Sequence, residues 1–328
     1  MRLRAFGGDS VRVSEVGLGC WQLGGDQWGD ISDDDALSTL RAAVDAGTTF
    51  LDTADVYGAG RSEALVGRFL KEKPRNLFVA TKLGRFPTPG LPGNCTPENM
   101  RQHTENSLKR LGMESLDLTQ LHCVPQPILE RGEVFEVLRQ LKQEGKIQRW
   151  GASVESTAEA KLCLAQPGCA SLQIIFNIYR QTPITAIFDE AKQKGVAIIV
   201  RLPLASGMLA GKYTPQTTFA ANDHRSFNRN GEKFNVGETF ASLGFENGLA
   251  ITEKLRPLVP AGSTMAQFAL KWCLGFDAVT TIIPGARNAA QAHANAAVSD
   301  LPDLSAELHA KLRDFYRDEV ASSVRGPD

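Results

Sequence analysis

The sequence has no paired cysteines. Its six cysteines are scattered through 328 residues, and none of them belongs to a C-x-x-C pair. Such spacing signals neither a zinc site nor a disulfide framework, so we predict that the protein binds no metal. Free thiols are typical of proteins in a reducing cytosol, and we predict a cytoplasmic location.

The sequence also has almost no net charge and no long apolar run. A formal net charge of −1 offers no strong field for nucleic acid or for an anionic membrane surface. No stretch approaches 18 consecutive apolar residues, and the N-terminal MRLRAFGGDSVRV lacks the apolar core of a signal peptide. We therefore predict a soluble protein of the size of an enzyme, without a nucleic-acid or membrane partner, present as a monomer or a homo-oligomer.

Familiar nucleotide-binding and catalytic motifs are absent as well. In GLGCWQLGG, counting from Gly17 and Gly19, the third glycine position of G-x-G-x-x-G is occupied by Gln22. No tyrosine is followed four residues later by lysine, and Tyr57 is followed by Arg61. No G-x-S-x-G, Walker A or H-E-x-x-H motif occurs. These absences argue against a Rossmann fingerprint and against a short-chain dehydrogenase.

Short apolar segments recur along the chain and read as strands. Their near-continuous hydrophobicity is typical of parallel strands that are covered on both faces. We predict eight of them, at residues 15–19, 49–52, 77–82, 116–122, 147–152, 171–175, 196–202 and 279–283. A β-hairpin should precede them, because Gly-Gly-Asp at residues 7–9 suits a tight turn between two alternating segments.

The segments between the strands carry helix signals. Thr96 can cap a helix that has proline as its first residue, and Ser156 with Glu159 and Thr264 with Gln267 match the capping box. We predict helices at 32–47, 61–72, 96–112, 130–144, 156–165, 185–194, 263–275 and 287–297, with an extra C-terminal helix at 304–318.

Eight βα repeats predict a closed (β/α)8 TIM barrel, with the hairpin at its N-terminus and an additional helix at its C-terminus. An open doubly wound sheet is the alternative. No proline- or serine-rich linker divides the chain, so residues 1–328 should form a single domain. The irregular stretch 203–247 follows the seventh strand, and long loops of this kind are usually functional.

Polar residues stand where three neighbouring strands end, at the face that carries the active site in barrels. Asp52, Lys82 and His122 end the second, third and fourth strands, and Tyr57 lies on the loop beyond the second. An ammonium group beside a phenol lowers the phenol pKa, and a carboxylate keeps that ammonium charged. An imidazole can hold a carbonyl oxygen or relay a proton. The set therefore predicts a general acid that protonates a developing alkoxide.

These residues and their surroundings resemble the aldo-keto reductases. FLDTADVYGAGRSEALVGRFL, FVATKLG, LDLTQLHCV and IQRWGASV carry the resemblance, which covers essentially the whole chain. It implies a barrel whose base is plugged by the hairpin, with Asp52, Tyr57, Lys82 and His122 as catalytic tetrad and Tyr57 as proton donor. It also implies hydride delivery from NADPH to a carbonyl carbon. The motifs are most similar to bacterial reductases related to potassium-channel β subunits.

The resemblance implies a cofactor site along the later strands. Ser153 and Gln173 match residues that hold the nicotinamide carboxamide, and Arg201 stands where an aromatic residue commonly stacks on the nicotinamide. LPLASGMLAGKY resembles the segment that wraps the pyrophosphate, and IIPGARNAAQAHAN resembles the helix start that binds the adenosine end. From these two segments we expect contributions by Leu204, Gly207, Leu209, Gly211, Lys212, Gly285, Arg287, Gln291 and Asn295.

The cofactor preference rests on Gln291 and Arg287. Many relatives have an arginine at the position of Gln291 that grips the 2′-phosphate, and Arg287 would take that role here. NADP is therefore expected, and NAD remains open.

The substrate pocket should be formed by loops around Tyr57 and His122. Trp21 and Trp28 lie close together in a glycine-rich loop, and Arg225 and Phe227 belong to the long loop 203–247. Arginines near the site, Arg201 among them, would suit the hydroxyls or an anionic group of a small polar or sugar-like aldehyde.

Three functions remain open at this point. The first is an NADP-dependent aldehyde or ketone reductase, reversible as an alcohol dehydrogenase. The second is a cofactor-sensing regulatory subunit with slow turnover, which the channel-subunit resemblance suggests. The third is an NAD(P)-dependent dehydrogenase that oxidises a sugar, an alcohol or a pyridoxal-like compound.

Overall fold

The computed structural model describes residues 1–72 and 76–327. A two-stranded antiparallel hairpin comes first, with Leu3 opposite Ser14. The other described strands form one eight-stranded parallel sheet in sequence order. The strands are β1 Leu3–Ala5, β2 Arg12–Ser14, β3 Leu18–Gly19, β4 Phe50–Asp52, β5 Phe78–Leu83, β6 Leu118–His122, β7 Trp150–Ser153, β8 Cys169–Ile175, β9 Ala197–Arg201 and β10 Val279–Ile282.

The sheet closes on itself. Val16, just before β3, forms a parallel bridge with Ile282, the last residue of β10. Gly19, in β3, forms another with Gly285, just beyond β10. Backbone bonds from Gly17 to Ile282 and from Ile282 to Glu15 complete the seam. The predicted (β/α)8 barrel is therefore confirmed over the open doubly wound sheet.

The hairpin covers the N-terminal end of the barrel. Phe6 and Val13 are buried against Phe50 and Phe78, which lie at the starts of β4 and β5. The ring centroids of Phe6 and Phe78 are 4.7 Å apart. This apolar layer closes the base of the barrel, so the open mouth lies at the carboxyl ends of the strands.

Helices surround the barrel, and their starts follow the local signals in the sequence. Thr96 accepts a hydrogen bond from the backbone of Asn99, and the two capping boxes at Ser156 and Thr264 form as predicted. The α-helices of the described chain are Asp33–Asp45, Arg61–Glu72, Pro97–Leu111, Gln126–Arg131, Glu133–Gln143, Thr157–Leu164, Pro183–Ala186, Phe188–Gln193, His224–Phe227, Phe245–Leu255, Met265–Leu274, Ala289–Ala296 and Ala306–Phe315. Among them, none has both the length and the apolar character required to cross a bilayer.

Two predicted helices are interrupted. Residues 130–144 fall on two helices, because Gly132 adopts a left-handed conformation with φ of 80° and separates Gln126–Arg131 from Glu133–Gln143. Residues 185–194 likewise fall on two short helices that meet at Ile187. Both breaks lie within helical segments, so the strand ends that form the mouth of the barrel are close to where the sequence predicts them.

Candidate active site

The four residues predicted as a tetrad lie together at the mouth of the barrel. Asp52 and His122 are the last residues of β4 and β6, and Lys82 is the next-to-last residue of β5. Tyr57 opens a tight turn in which Gly58 and Ala59 have positive φ, and this turn brings the phenol back over the strand ends. Neighbouring parallel strands thus place side chains that are far apart in sequence beside one another.

Lys82 is at the centre of this group. Its side chain has 0% exposed surface. The ammonium nitrogen donates to Asp52 Oδ1 at 2.5 Å, to the carbonyl oxygen of Thr53 at 2.8 Å and to the phenol oxygen of Tyr57 at 3.2 Å. Three acceptors match the three ammonium protons, as a buried lysine requires.

The second oxygen of Asp52 is also bound. Oδ2 accepts from Gln173 Nε2 at 2.7 Å and from Gln120 Nε2 at 3.3 Å. The hydroxyl of Ser153 in turn donates to Gln173 Oε1 at 3.4 Å. Gln173 and Ser153, predicted as cofactor ligands, are therefore connected to the carboxylate that holds Lys82. Gln120 was missed, although it precedes His122 by two residues on the same strand and the strand alternation places both inside the barrel.

Burial and charge act in opposite directions on Tyr57 and Lys82. Burial raises the pKa of Tyr57 to about 12, and the nearby charge of Lys82 only partly offsets this. For Lys82, burial alone would lower the pKa, but the charges of Asp52 and Tyr57 raise it above its ordinary value. The sequence suggested that Lys82 lowers the phenol pKa, but the effect of burial is larger than the effect of the lysine charge. The phenol is therefore protonated and the lysine charged at neutral pH.

His122 is neutral for a similar reason. Burial lowers its pKa well below 6.5, and the positive charges of Arg85, Lys82 and Arg201 add to the shift. Its ring meets the Tyr57 ring edge-on, with centroids 5.7 Å apart. Nδ1 has no hydrogen-bond partner among the described residues. A neutral imidazole beside the phenol can therefore donate one N–H to an oxygen atom of a ligand.

A cavity of about 1080 Å³ opens above this group. It reaches from the strand ends to the start of the helix Ala289–Ala296. Most predicted site residues line it: Trp21, Trp28, Asp52, Tyr57, His122, Gln173, Arg201, Leu204, Gly207, Lys212, Arg225, Phe227, Gly285, Arg287, Gln291 and Asn295. Four predicted residues are not part of the lining, namely Lys82, Ser153, Leu209 and Gly211.

One wall of the cavity is aromatic. Trp21 stacks on Tyr57 with centroids 5.8 Å apart and meets Trp28 edge-on at 5.5 Å. His224, which sequence reasoning missed, packs against both indoles at 4.9 and 4.4 Å. Phe234 continues the wall at 6.2 Å from Trp21. The two tryptophans predicted for the pocket thus form a continuous apolar surface next to the phenol.

The long loop after β9 is bound to the loop after β3. Trp28 and Asp223 form an antiparallel bridge. Arg225 bonds to both carboxylate oxygens of Asp223 and, at 2.7 Å, to the hydroxyl of Tyr213. Its guanidinium lies 4.8 Å from the Trp28 ring. Arg225, predicted to contact substrate, lines the cavity but is already neutralised by Asp223.

The opposite end of the cavity carries the residues predicted for the adenosine end of a dinucleotide. Arg287 Nη2 donates to the carbonyl oxygen of Asp30 at 3.0 Å, across the cavity rim. The side-chain oxygen of Gln291 accepts from the backbone of Arg287, and Asn295 donates to the carbonyl of Gly285. Gln22 packs so closely on Gly285 that an added Cβ would lie 2.1 Å from its amide. A larger residue at this position would have to displace the Gln22 side chain.

Arg201, at the end of β9, is paired with a buried carboxylate. Its Nη1 donates to Glu238 Oε1 at 2.9 Å, and its Nη2 donates to the carbonyl of Val154 at 3.2 Å. Arg85, which follows β5, donates to the same oxygen of Glu238 at 2.9 Å. Burial alone would raise the pKa of Glu238, but the two arginines lower it to about 2. The carboxylate is therefore ionised between two guanidinium groups.

Sequence reasoning missed Arg85 and Glu238. Arg85 lies three residues beyond Lys82, so attention to polar residues just past strand ends could have found it. Glu238 gave no such signal, because it lies in an irregular loop. With Cys123 and Glu155 it brings three potential ligand atoms within 4.8 Å of one another. The guanidinium groups of Arg85 and Arg201 already supply the positive charge at that carboxylate.

Comparisons with known proteins agree with this architecture. The family model described as "Aldo/keto reductase family" matches residues 15–317. Aldo-keto reductase YhdN of Bacillus subtilis is 28% identical over 331 residues, which cover 100% of this chain and 97% of that protein. The NADH-specific methylglyoxal reductase of Escherichia coli is 28% identical, with coverage of 95% and 98%.

Solved structures give the same result. Glycerol dehydrogenase AKR11B4 from Gluconobacter oxydans superimposes with a TM-score of 0.79 at 29% identity, over 99% of this chain and 97% of that one. The holo form of aldo-keto reductase AKR11C1 from Bacillus halodurans has a TM-score of 0.77 at 26% identity, over 96% of each chain. Because the family model spans nearly the whole barrel, this chain belongs to the aldo/keto reductase family of oxidoreductases.

Proposed function

We propose that the chain is an NADP-dependent reductase of aldehydes or ketones, including small polar or sugar-like compounds, and that residues 1–328 act as one catalytic domain. One observation carries the proposal. A fully buried, charged Lys82 joins the carboxylate of Asp52 to the phenol of Tyr57, and Tyr57 faces the cavity together with His122. This arrangement is a proton donor with a built-in counter-charge.

Tyr57 is the general acid in this proposal. Its pKa of about 12 keeps the hydroxyl protonated at neutral pH, so the proton is available for a carbonyl oxygen that becomes an alkoxide. Loss of the proton leaves a phenolate 3.2 Å from the ammonium group of Lys82, which stabilises it. Asp52 keeps Lys82 charged and oriented, and Gln173 and Gln120 hold Asp52 in place.

His122 positions the carbonyl group. Because burial and the surrounding cations keep the imidazole neutral, it can donate a hydrogen bond to the carbonyl oxygen without competing with Tyr57 as an acid. Trp21 and Trp28 provide apolar walls that exclude water from the reacting carbon.

The residues at the far end of the cavity fit a dinucleotide phosphate. Lys212 and Arg287 are exposed cations that line it. The helix Ala289–Ala296 directs its N-terminus, capped by Asn288, toward the same region. The buried Oε1 atom of Gln22 has no partner among the described residues, so it can accept a hydrogen bond from a ligand. When bound, the cofactor supplies the hydride.

NADP is proposed over NAD because Arg287 is a cation at the adenosine end, suited to a 2′-phosphate. The cytoplasm is proposed as the location, because all six cysteines are free and buried.

The test is stopped-flow oxidation of NADPH and NADH over a panel of aldehydes and ketones. We expect oxidation that depends on the carbonyl compound and is faster with NADPH. Tight NADPH binding without oxidation by any member of the panel would reject the reductase and favour a cofactor-sensing subunit.

The second candidate is a dehydrogenase that works oxidatively on a polyol. The similarity to a protein named glycerol dehydrogenase favours it. Turnover with glycerol and NADP⁺ that exceeds the reduction of every carbonyl compound would select this direction.

A further inference from the structure

Two arginines share one carboxylate on the wall of the cavity. Arg85 and Arg201 both donate to Oε1 of Glu238 at 2.9 Å. Glu155 belongs to the same cluster: one of its carboxyl oxygens lies within 4.8 Å of a carboxylate oxygen of Glu238, and its charge acts on both arginines. The cluster therefore contains two guanidinium groups and two carboxyl groups.

Arg85, Arg201 and Glu238 all line the cavity, and Arg85 is the most exposed of the three. Its side chain is 21% exposed, compared with 9% for Arg201 and 2% for Glu238. Arg201 also uses Nη2, which donates to the backbone of Val154. Within residues 1–72 and 76–327, the bond from Arg85 Nη1 to Glu238 is the sole hydrogen bond of the Arg85 guanidinium. Arg85 therefore keeps N–H donors available for a ligand.

Two other arginines of the cavity are already bound elsewhere. Arg225 is paired with Asp223 and bonded to Tyr213. Arg287 reaches the backbone of Asp30 at the far rim. Arg85 therefore differs from these two arginines in keeping free N–H donors. Lys212 and Lys233 also line the cavity, but both are exposed, whereas Arg85 is mostly buried.

An apolar path connects Tyr57 with Arg85. The Tyr57 ring stacks on Trp21, and the Phe234 ring lies next to Trp21 on the cavity wall. The guanidinium carbon of Arg85 lies 5.3 Å from the Phe234 ring centroid. A substrate whose carbonyl oxygen lies at Tyr57 and His122 would place its carbon chain along these rings and its other end at Arg85.

We propose that Arg85 selects carbonyl substrates that carry an anionic group, a carboxylate or a phosphate, a few bonds from the carbonyl carbon. This rests on the proposed function, because it assigns the substrate class of the same site. A guanidinium group binds either anion through two parallel hydrogen bonds, and its charge makes them strong. Phe234 beneath the guanidinium holds its plane.

The experiment compares matched substrate pairs. One pair is 4-oxobutanoate and butanal, and the other is glyceraldehyde 3-phosphate and glyceraldehyde. For at least one pair we expect kcat/KM of the wild-type protein to favour the charged member by about tenfold or more. The pair that shows the preference identifies the anion as carboxylate or phosphate.

Arg85→Gln should abolish this preference. The ratio of charged to neutral kcat/KM should fall about tenfold, mainly through KM of the charged member. Since both members are measured on the same preparation, any misfolded fraction cancels in the ratio. Arg85→Lys keeps the charge and should retain part of the preference.

Arg229→Gln is the matched control. Arg229 lies on the long loop after β9 that also carries Glu238. It is outside the cavity lining and 3.9 Å from Glu246. Its removal should leave the ratio unchanged. Binding gives a second readout: 4-hydroxybutanoate, unlike 1-butanol, should change the tryptophan fluorescence of the protein–cofactor complex, and Arg85→Gln should remove this change.

Two results would overturn the inference. One is a ratio near unity in the wild-type protein for both pairs, with butanal and glyceraldehyde still reduced; the proposed function would then stand without the anion preference. The other is an unchanged ratio in Arg85→Gln. Absence of turnover with all four aldehydes would instead remove the proposed function, and this inference with it.

Discussion

The ammonium nitrogen of Lys82 lies 3.2 Å from the phenol oxygen of Tyr57 and donates at the same time to Asp52. Because the lysine side chain is completely buried, no solvent screens this contact. Burial holds the phenol in its protonated form, and the ammonium group is ready to stabilise the phenolate after proton transfer. The proposed acid is thus both available at neutral pH and able to lose its proton.

Removal of the phenol hydroxyl tests its role directly. We predict that Tyr57→Phe lowers the rate of carbonyl reduction at least about a hundredfold, since a positioned general acid contributes on that scale. NADPH affinity should be retained, because the ring remains stacked on Trp21. Stopped-flow kinetics and cofactor titration measure the two effects. Tyr316→Phe, which removes a hydroxyl near Thr182, should leave both unchanged. Normal turnover by Tyr57→Phe would show that another group donates the proton.

Lys82 should matter for stability as well as for activity. Lys82→Met leaves the buried Asp52 carboxylate without its counter-charge, and such losses cost ~3–5 kcal/mol in the free energy of unfolding. Urea denaturation of Lys82→Met, Asp52→Asn and the double variant measures the coupling. We expect the double variant to lose less than the sum of the single variants, because it contains no unpaired charge. Strict additivity would mean that the two side chains are not an energetic pair.

Arg287 tests the cofactor preference. We predict that Arg287→Met raises the Kd for NADPH about tenfold and leaves the Kd for NADH almost unchanged, because only NADPH carries the 2′-phosphate. Titration of cofactor fluorescence gives both constants without turnover. Arg317→Met removes an exposed arginine that pairs with Asp314 and Asp318, and it should change neither constant. Equal weakening of both cofactors would place Arg287 away from the 2′-phosphate.

The sequence predicts the barrel well because its signals are local. Each buried strand is short and continuous, and each cap, such as Ser156 with Glu159, depends on residues within one helical turn. Parallel strands then bring their carboxyl ends to one face without further information. This is why Asp52, Lys82 and His122 could be assigned to one mouth before any distance was known.

Features that join distant segments could not be derived in this way. Glu238 lies 153 positions from Arg85 and 37 from Arg201, and no periodicity relates them. The position of His224 between two tryptophans likewise depends on how the long loop folds back. The pKa of Tyr57 required the balance between burial and the charge of Lys82, and a sequence shows the charge but not the depth of burial.

His224 links this loop to the acid stability of the protein. Its imidazole is buried between Trp21 and Trp28, and Nδ1 is 3.1 Å from the carbonyl oxygen of Gln27. Burial lowers its pKa from 6.5 to about 4; among nearby charges, Asp223 opposes the shift and Arg225 adds to it. Between pH 6.5 and 4 the unfolded chain therefore binds more protons at this residue than the folded protein. Stability should fall as the pH falls through this window.

We predict that His224→Gln reduces this loss. One unit of pKa shift corresponds to ~1.4 kcal/mol, so His224 alone should cost the wild-type protein ~3 kcal/mol by pH 4. Glu238, with its pKa of about 2, begins to lose its contribution only below its ordinary value of 4.5.

Carboxyl groups whose pKa burial raises, such as Glu63 and Glu155, change stability in the same pH range but do so equally in both proteins. The difference in melting temperature between wild type and His224→Gln, measured between pH 6.5 and 4.5, therefore reports on His224. His122 contributes with the same sign, so His224→Gln should flatten the dependence without abolishing it. His293→Gln, which removes an exposed imidazole, is the control. If melting temperature depends on pH with the same slope in His224→Gln as in wild type, His224 is not the acid-sensitive group.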